Sequence, residues 1–170
     1  MRCLSRINHK PTMITFDRGT ECFNFRVAGI AIHGDRVLLH KAEKDNFWSF
    51  PGGRVEMGED SAHSLVREMK EELNEDVEIV RLLWIVENFF VYNQKNYHEI
   101  CFYYLMQFRG RSLYLEKDTT FWGVENDADL EFDWFSIDTD TLAQLPLLPA
   151  FLQNSLQDLP ASVKHIVWRD

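Results

Sequence analysis

Gly53-Arg54-Val55-Glu56-Met57-Gly58-Glu59, seven intervening residues, then Arg67-Glu68-Met69-Lys70-Glu71-Glu72-Leu73-Asn74: this stretch decides how the chain is read. Ala62, Leu65, Val66, Met69 and Leu73 recur at helical spacing. Asp60 or Ser61 can cap the start, and Asn74 tolerates the left-handed conformation that often ends a helix. On a helix turning roughly 100° per residue, Glu68, Glu71 and Glu72 share one arc while Leu65, Met69 and Leu73 take a neighbouring one. The apolar arc is expected to pack on a sheet and aim the acids at one place. Like charges at this spacing cost a few tenths of a kcal/mol, so gathering three calls for a cation. A hard divalent ion with a taste for oxygen would serve. Taken alone, a glutamate-rich helix is more often an ordinary solvated face.

The residues just upstream change that weighting. Trp48 to Phe50 reads as a short strand broken by Pro51-Gly52-Gly53, a loop that must bend sharply and whose backbone can approach a metal or a phosphate. Upstream of it, 25 to 32 and 36 to 39 read as a strand pair joined by a tight turn at Gly34-Asp35. Downstream, 77 to 91 and 97 to 108 read as long strands separated by the polar turn at 93 to 96. The acidic stretch from Glu116 to Asp129 reads as a loop, 131 to 137 as a short strand, and Leu147 to Leu156 as a second amphipathic helix.

The chain has 170 residues, enough for one domain with its own core. A disordered tail is expected over 1–12, with Met13 as a second candidate start, and a single domain over 13–170. No apolar run is long enough to span a membrane and no secretory signal opens the chain, so a cytoplasmic protein without a membrane partner is expected. Cys3, Cys22 and Cys101 are odd in number and widely spaced, which argues against both a disulfide framework and a zinc knuckle. A net charge of −9 argues against polymeric nucleic acid as a partner. It leaves open a small phosphorylated ligand bridged by a cation. A homodimer also stays open.

Gly53, Glu59, Arg67-Glu68, Met69 and Glu71-Glu72 resemble the signature of the Nudix hydrolases, the MutT-like family: Gly, five residues, Glu, seven residues, Arg-Glu, an aliphatic, any residue, Glu-Glu, any residue, Gly, an aliphatic. Two positions depart, Asn74 in place of Gly and Glu75 in place of the aliphatic residue. The resemblance implies an α/β fold, an α/β/α sandwich with a mixed central sheet. It also implies hydrolysis of a diphosphate linkage in a nucleoside diphosphate derivative (a sugar nucleotide or an ADP-ribose-like compound) or a nucleoside triphosphate. By the same resemblance, Glu68, Glu71 and Glu72, with the carbonyl of Gly52 or Gly53, would hold Mg²⁺ or Mn²⁺, and Glu59 and Arg67 would orient helix and loop.

For the rest of the substrate, Arg26, Arg54 and Lys41 are candidates for phosphate, Trp122 and Phe121 for stacking on a base, and Asp127, with Glu125, Asp129 and Glu131, for an additional acid. Glu87 and Glu99 lie in strands whose faces the sequence leaves open, and His40 and His98 are candidate cleft residues. Two rival functions follow from the same resemblance. A noncatalytic nucleotide-binding regulator would not need all three helix acids. An isoprenoid diphosphate isomerase would need a cysteine facing a glutamate across the cleft, for which Cys101 is the sole candidate.

Overall fold

The computed structural model describes residues 12–110, 112–116, 119–125 and 128–170. Asp127 and Cys3 lie outside the described residues, as does all of the expected tail but Thr12, whose carbonyl accepts the Met57 N–H at 2.8 Å.

Among the described residues, eight strands form one mixed sheet. Six of them, β2 (Glu21–His33), β3 (Arg36–Ala42), β4 (Val77–Tyr92), β5 (Lys95–Phe108), β6 (Phe121–Glu125) and β7 (Ala128–Ser136), join β8 (Lys164–Arg169) in the order β6-β7-β3-β2-β5-β4-β8, and β1 (Thr15–Arg18) pairs with β2. The β2–β5 and β4–β8 pairs are parallel and the others antiparallel. The turns fall where their residues suit them: Gly34 has φ +64°, and Asn93 and Gln94 both have positive φ between β4 and β5.

Helix α1 (Ser61–Leu73) covers one face, burying Leu65, Met69 and Leu73 against Val27, Ala31, Met106 and Phe132. The other face carries Ala28, Ile30, Trp84 and Tyr103 under Leu142, Leu147, Leu152 and Leu156. This is the expected sandwich, but its second layer differs in form. Helix occurs there only as α2 (Thr139–Gln144) and α3 (Leu152–Ser155). A continuous helix over 147–156 does not form because Leu147 is drawn into a parallel bridge with Trp48: the Trp48 N–H donates to Pro146 O at 2.8 Å and the Leu148 N–H to Trp48 O at 2.9 Å. The acidic stretch likewise holds a strand, β6, because Phe121 stacks on Phe132 of β7 at 5.7 Å and is buried.

One feature of the sheet positions the site. β2 and β3 pair only at Ile32–Val37 and His33–Arg36 and then part. Residues 49–55 run through the gap. Gly29 N–H donates to Pro51 O (2.8 Å), Val27 N–H to Gly53 O (2.9 Å) and Val55 N–H to Phe25 O (3.0 Å), while Ser49 and His40 exchange both backbone bonds.

Candidate active site

The orientation of α1 is fixed at both ends. Asp60 accepts from the Ala62 and His63 N–H groups at 3.2 and 3.1 Å. Asn74 adopts φ 56°, ψ 28° and returns its N–H to the Lys70 carbonyl, so the departure from Gly at this position keeps the turn. With the apolar arc pinned to the sheet, Glu68 and Glu72 are buried, at 4% and 3% exposure, whereas the Glu71 side chain is 60% exposed. The three acids share an arc but not an environment.

The glycine turn meets this helix directly. A Cβ on Gly53 would lie 2.3 Å from the Glu68 carboxyl carbon, and one on Gly52 would lie 2.3 Å from the Val27 carbonyl oxygen, with Gly52 at φ +139°. At Gly52 the obstacle is backbone and only glycine passes, whereas a methyl at Gly53 would displace the Glu68 carboxylate. The Gly53 carbonyl accepts the Val27 N–H, and the Gly52 carbonyl accepts Arg26 Nη2 at 3.2 Å.

Arg67 organises the polar side of the helix. Its Nε donates to Glu59 at 3.1 Å, its Nη1 to Glu68 (2.9 Å) and Glu71 (3.1 Å), and its Nη2 to Glu59 (3.1 Å), Ser64 Oγ (3.1 Å) and the Arg54 carbonyl (3.2 Å). Burial pulls the guanidinium pKa down, but the bonds to Glu59 and the charge of Glu68 outweigh it and hold the group above its ordinary value. Part of the cationic neutralisation that the clustered glutamates require therefore comes from the chain itself.

On the far side of the helix, His40 Nδ1 stands 3.7 Å from Glu72 Oε2, beyond hydrogen-bond length. Burial and the charge of Arg26 lower the His40 pKa to about 3, so it faces Glu72 as a neutral ring. Arg54 Nε donates to Asn24 Oδ1 at 3.2 Å, and Arg54 forms a backbone bridge with Arg26. Glu99 is buried beside Arg26. Burial raises its pKa, opposed by Arg26, a hydrogen bond from Asn24, and Arg54. Glu87 points to the opposite face, where it meets His165 at 2.7 Å.

Other sequence candidates stand elsewhere. Trp122 lies on the edge strand β6, 56% exposed, and Phe121 is in the core. Lys41 pairs with Glu131 at 3.0 Å and lies over Trp48, and His98 stacks on Phe89. Asn24 and Asn88, both buried, were not anticipated. A polar residue at a core-facing strand position, as in the alternation Asn24, Arg26, Ala28, Ile30, is the signal that could have pointed to Asn24. Asn88 becomes visible only once β4 and β5 are in register.

Among the described residues no three His, Cys, Asp or Glu side chains converge closely enough to hold a metal ion as they stand. The donor chemistry nonetheless fits one. Glu68 offers buried carboxylate oxygens beside Gly53, and Glu72 a buried carboxylate one turn along the same helix, oxygen donors of the kind Mg²⁺ and Mn²⁺ take.

A carboxylate helix backed onto a glycine turn that fills a split mixed sheet defines an α/β protein with buried acids beside the strand gap. The chain belongs to the Nudix family: the NUDIX domain profile matches residues 24–151. Family members generally use divalent metal ions. A putative ADP-ribose pyrophosphatase, YjhB, of Bacillus subtilis (strain 168) is 37% identical over 62 residues, 36% of this chain and 30% of that protein. An 8-oxo-dGTP diphosphatase of Buchnera aphidicola subsp. Acyrthosiphon pisum (strain APS) is 34% identical over 83 residues, 46% of this chain and 61% of that protein. The matches thus span less than two thirds of either relative's length. Among solved structures, the MutT protein of Bacillus halodurans superposes with a TM-score of 0.60 at 18% identity, covering 86% of this chain and 89% of that one, a likeness of fold.

Proposed function

We propose that this chain is a divalent-metal-dependent hydrolase that cleaves a diphosphate linkage in a nucleoside diphosphate derivative, of the sugar-nucleotide or ADP-ribose type, or in a nucleoside triphosphate. The observation that carries the reading is the contact between Gly53 and the buried Glu68 carboxylate, with Glu72 buried one turn along the same helix. Glu68, Glu71 and Glu72, with the Gly52 carbonyl, would hold Mg²⁺ or Mn²⁺. When bound, such an ion neutralises phosphate oxygens and makes a water acidic enough to attack phosphorus near neutral pH. Arg67 keeps Glu68 and Glu59 in place through a fork of donors that a lysine could not reproduce. Arg26, anchored on the Gly52 carbonyl, and Arg54 present positive charge where a phosphate chain would lie. The names of the two partial relatives, which concern a nucleoside diphosphate derivative and a nucleoside triphosphate, support the same substrate class. A cytoplasmic location and a small-molecule substrate complete the proposal.

The test is a screen of sugar nucleotides, ADP-ribose, nucleoside triphosphates and a 5′-triphosphorylated RNA with Mg²⁺ and with Mn²⁺, products identified. Metal-dependent release of a nucleoside monophosphate or inorganic phosphate from a small substrate is expected, with the RNA unreactive. In Glu72→Gln the rate should fall about a hundredfold or more, since a metal's charge stabilisation is worth several kcal/mol and each 1.36 kcal/mol is tenfold. Undiminished turnover in that variant would overturn the assignment.

A further inference from the structure

On the sheet face away from α1, strands β2, β4 and β5 gather a second polar set. Register places Asn88 of β4 directly opposite Glu99 of β5, and Arg26 of β2 opposite Cys101, the next β5 residue on the Glu99 side. Asn88 is 6% exposed and Glu99 7%. Glu99 is held from one side: Asn24, fixed by the Arg54 bond to its Oδ1, hydrogen-bonds the Glu99 carboxylate, and Arg26 balances its charge. Asn88 is not held in that way. Its Oδ1 is buried and accepts no hydrogen bond from any described residue. An acceptor buried without a donor is costly, and here it stands beside a carboxylate, which is itself an acceptor. The Asn88 N–H groups can serve Glu99, which leaves the Asn88 oxygen as the unmet acceptor, and a group with two neighbouring donors would satisfy it together with the carboxylate.

Aromatic side chains lie next to the pair. Phe90 and Tyr97, the next positions along the same face of β4 and β5, stack at 5.0 Å and 3°. Phe47, from the loop that leads into the glycine turn, meets Tyr92 edge-on at 6.2 Å, and the Tyr92 hydroxyl ties that loop down through Asp45 at 2.9 Å. Arg26 joins this set to the Gly52 carbonyl, so a ligand held here and a phosphate chain held at the turn would share one frame.

We propose that Asn88 and Glu99 form a subsite that reads the base of a nucleotide substrate through two adjacent N–H donors, the arrangement that N1 and the 2-amino group of guanine carry. This rests on the hydrolase reading and narrows its substrate class. Inosine nucleotides lack the 2-amino group and lose one of the two bonds, and adenine offers an acceptor in place of the ring donor.

The experiment compares GTP, ITP, ATP and dGTP as substrates under one metal condition, and GMP with IMP in equilibrium binding to the metal-free protein. For the wild type, kcat/KM for GTP should exceed that for ITP by about tenfold to a hundredfold, mainly through KM, with dGTP close to GTP and the same preference in GMP binding. In Glu99→Gln and in Asn88→Leu, each checked for folding by thermal unfolding, the GTP-to-ITP and GMP-to-IMP ratios should fall toward one. Equal handling of guanine and hypoxanthine by the wild type overturns the subsite. So does a preference that survives both substitutions, or one that tracks the ribose hydroxyl in place of the base. Absence of hydrolysis with every triphosphate would count against the catalytic reading alone, and the GMP and IMP affinities would still decide the subsite.

Discussion

Two arginines flank the Gly52-Gly53 turn, and their surroundings contrast. Arg67, on α1, places all three of its nitrogens on acceptors from helix and loop and so ties Glu59, Glu68 and Glu71 together. Arg26, on β2, faces a set in which Glu99 is braced but the neighbouring Asn88 oxygen accepts nothing from the described residues. A saturated network keeps a shape. In the proposed subsite, the unmet Asn88 oxygen is where a ligand would complete the set. The family signature lies in the first region, and the proposed base-reading pair in the second.

Arg67→Ala is the severest way to break the contrast. Removing one partner from a buried ion pair costs ~3–5 kcal/mol. Because the Arg67 side chain is 21% exposed, a loss of about 2–3 kcal/mol is expected, or roughly 5–10 °C in Tm by calorimetry. Arg67→Lys should recover little of it. Full stability in Arg67→Ala would show that the network is not what holds Glu68.

Gly53→Ala separates geometry from stability, because its new methyl would occupy the place of the Glu68 carboxylate. Overpacking of this sort costs about 1–3 kcal/mol. Turnover should fall by more than that loss of stability accounts for, which assays on the folded fraction would reveal.

Smaller effects test the departures from the family pattern. Asn74 holds a left-handed conformation, so Asn74→Ala should lose about 1 kcal/mol in denaturant titrations, while Asn74→Gly should match or exceed the parent.

The smallest expected effect lies remote from both arginines, at Asp138, the N-cap of α2. Hydrogen bonds from the Thr141 hydroxyl and N–H, with Ser136, lower its pKa to about 2. Since the folded value lies below the unfolded one, its contribution is complete above the ordinary carboxylate pKa of 3.8 and is lost as pH falls through about 2. The stability difference between the parent and Asp138→Asn should therefore shrink over that acid range.

How much of this could be read in advance differs element by element. Helix α1 was legible because its apolar period, Asp60, Asn74 and the spacing of Glu59, Arg67, Glu68, Glu71 and Glu72 all agree locally. The opposite layer was not, since the path of Leu147 is set by Trp48, a partner distant in sequence. β6 was hidden for a similar reason: its acidic neighbours suggest a loop, and only pairing with β7 makes Phe121 a core residue. β1 and β8 went unread too, as short strands with mostly exposed side chains. Within the site, Glu68 and Glu72 came from a local motif, but the burial that separates them from Glu71 depends on the docked sheet. Asn88 needed the β4–β5 register, which no single segment encodes.

The stitched gap between β2 and β3 also supplies a built-in gauge. The amide protons of Val27 and Gly29 are donated to the carbonyls of Gly53 and Pro51, so they can exchange with solvent only when the turn lifts from its strand. A ligand that braces the turn should slow deuterium uptake at those two amides, and an empty gap should leave them as the first of the central strand to exchange.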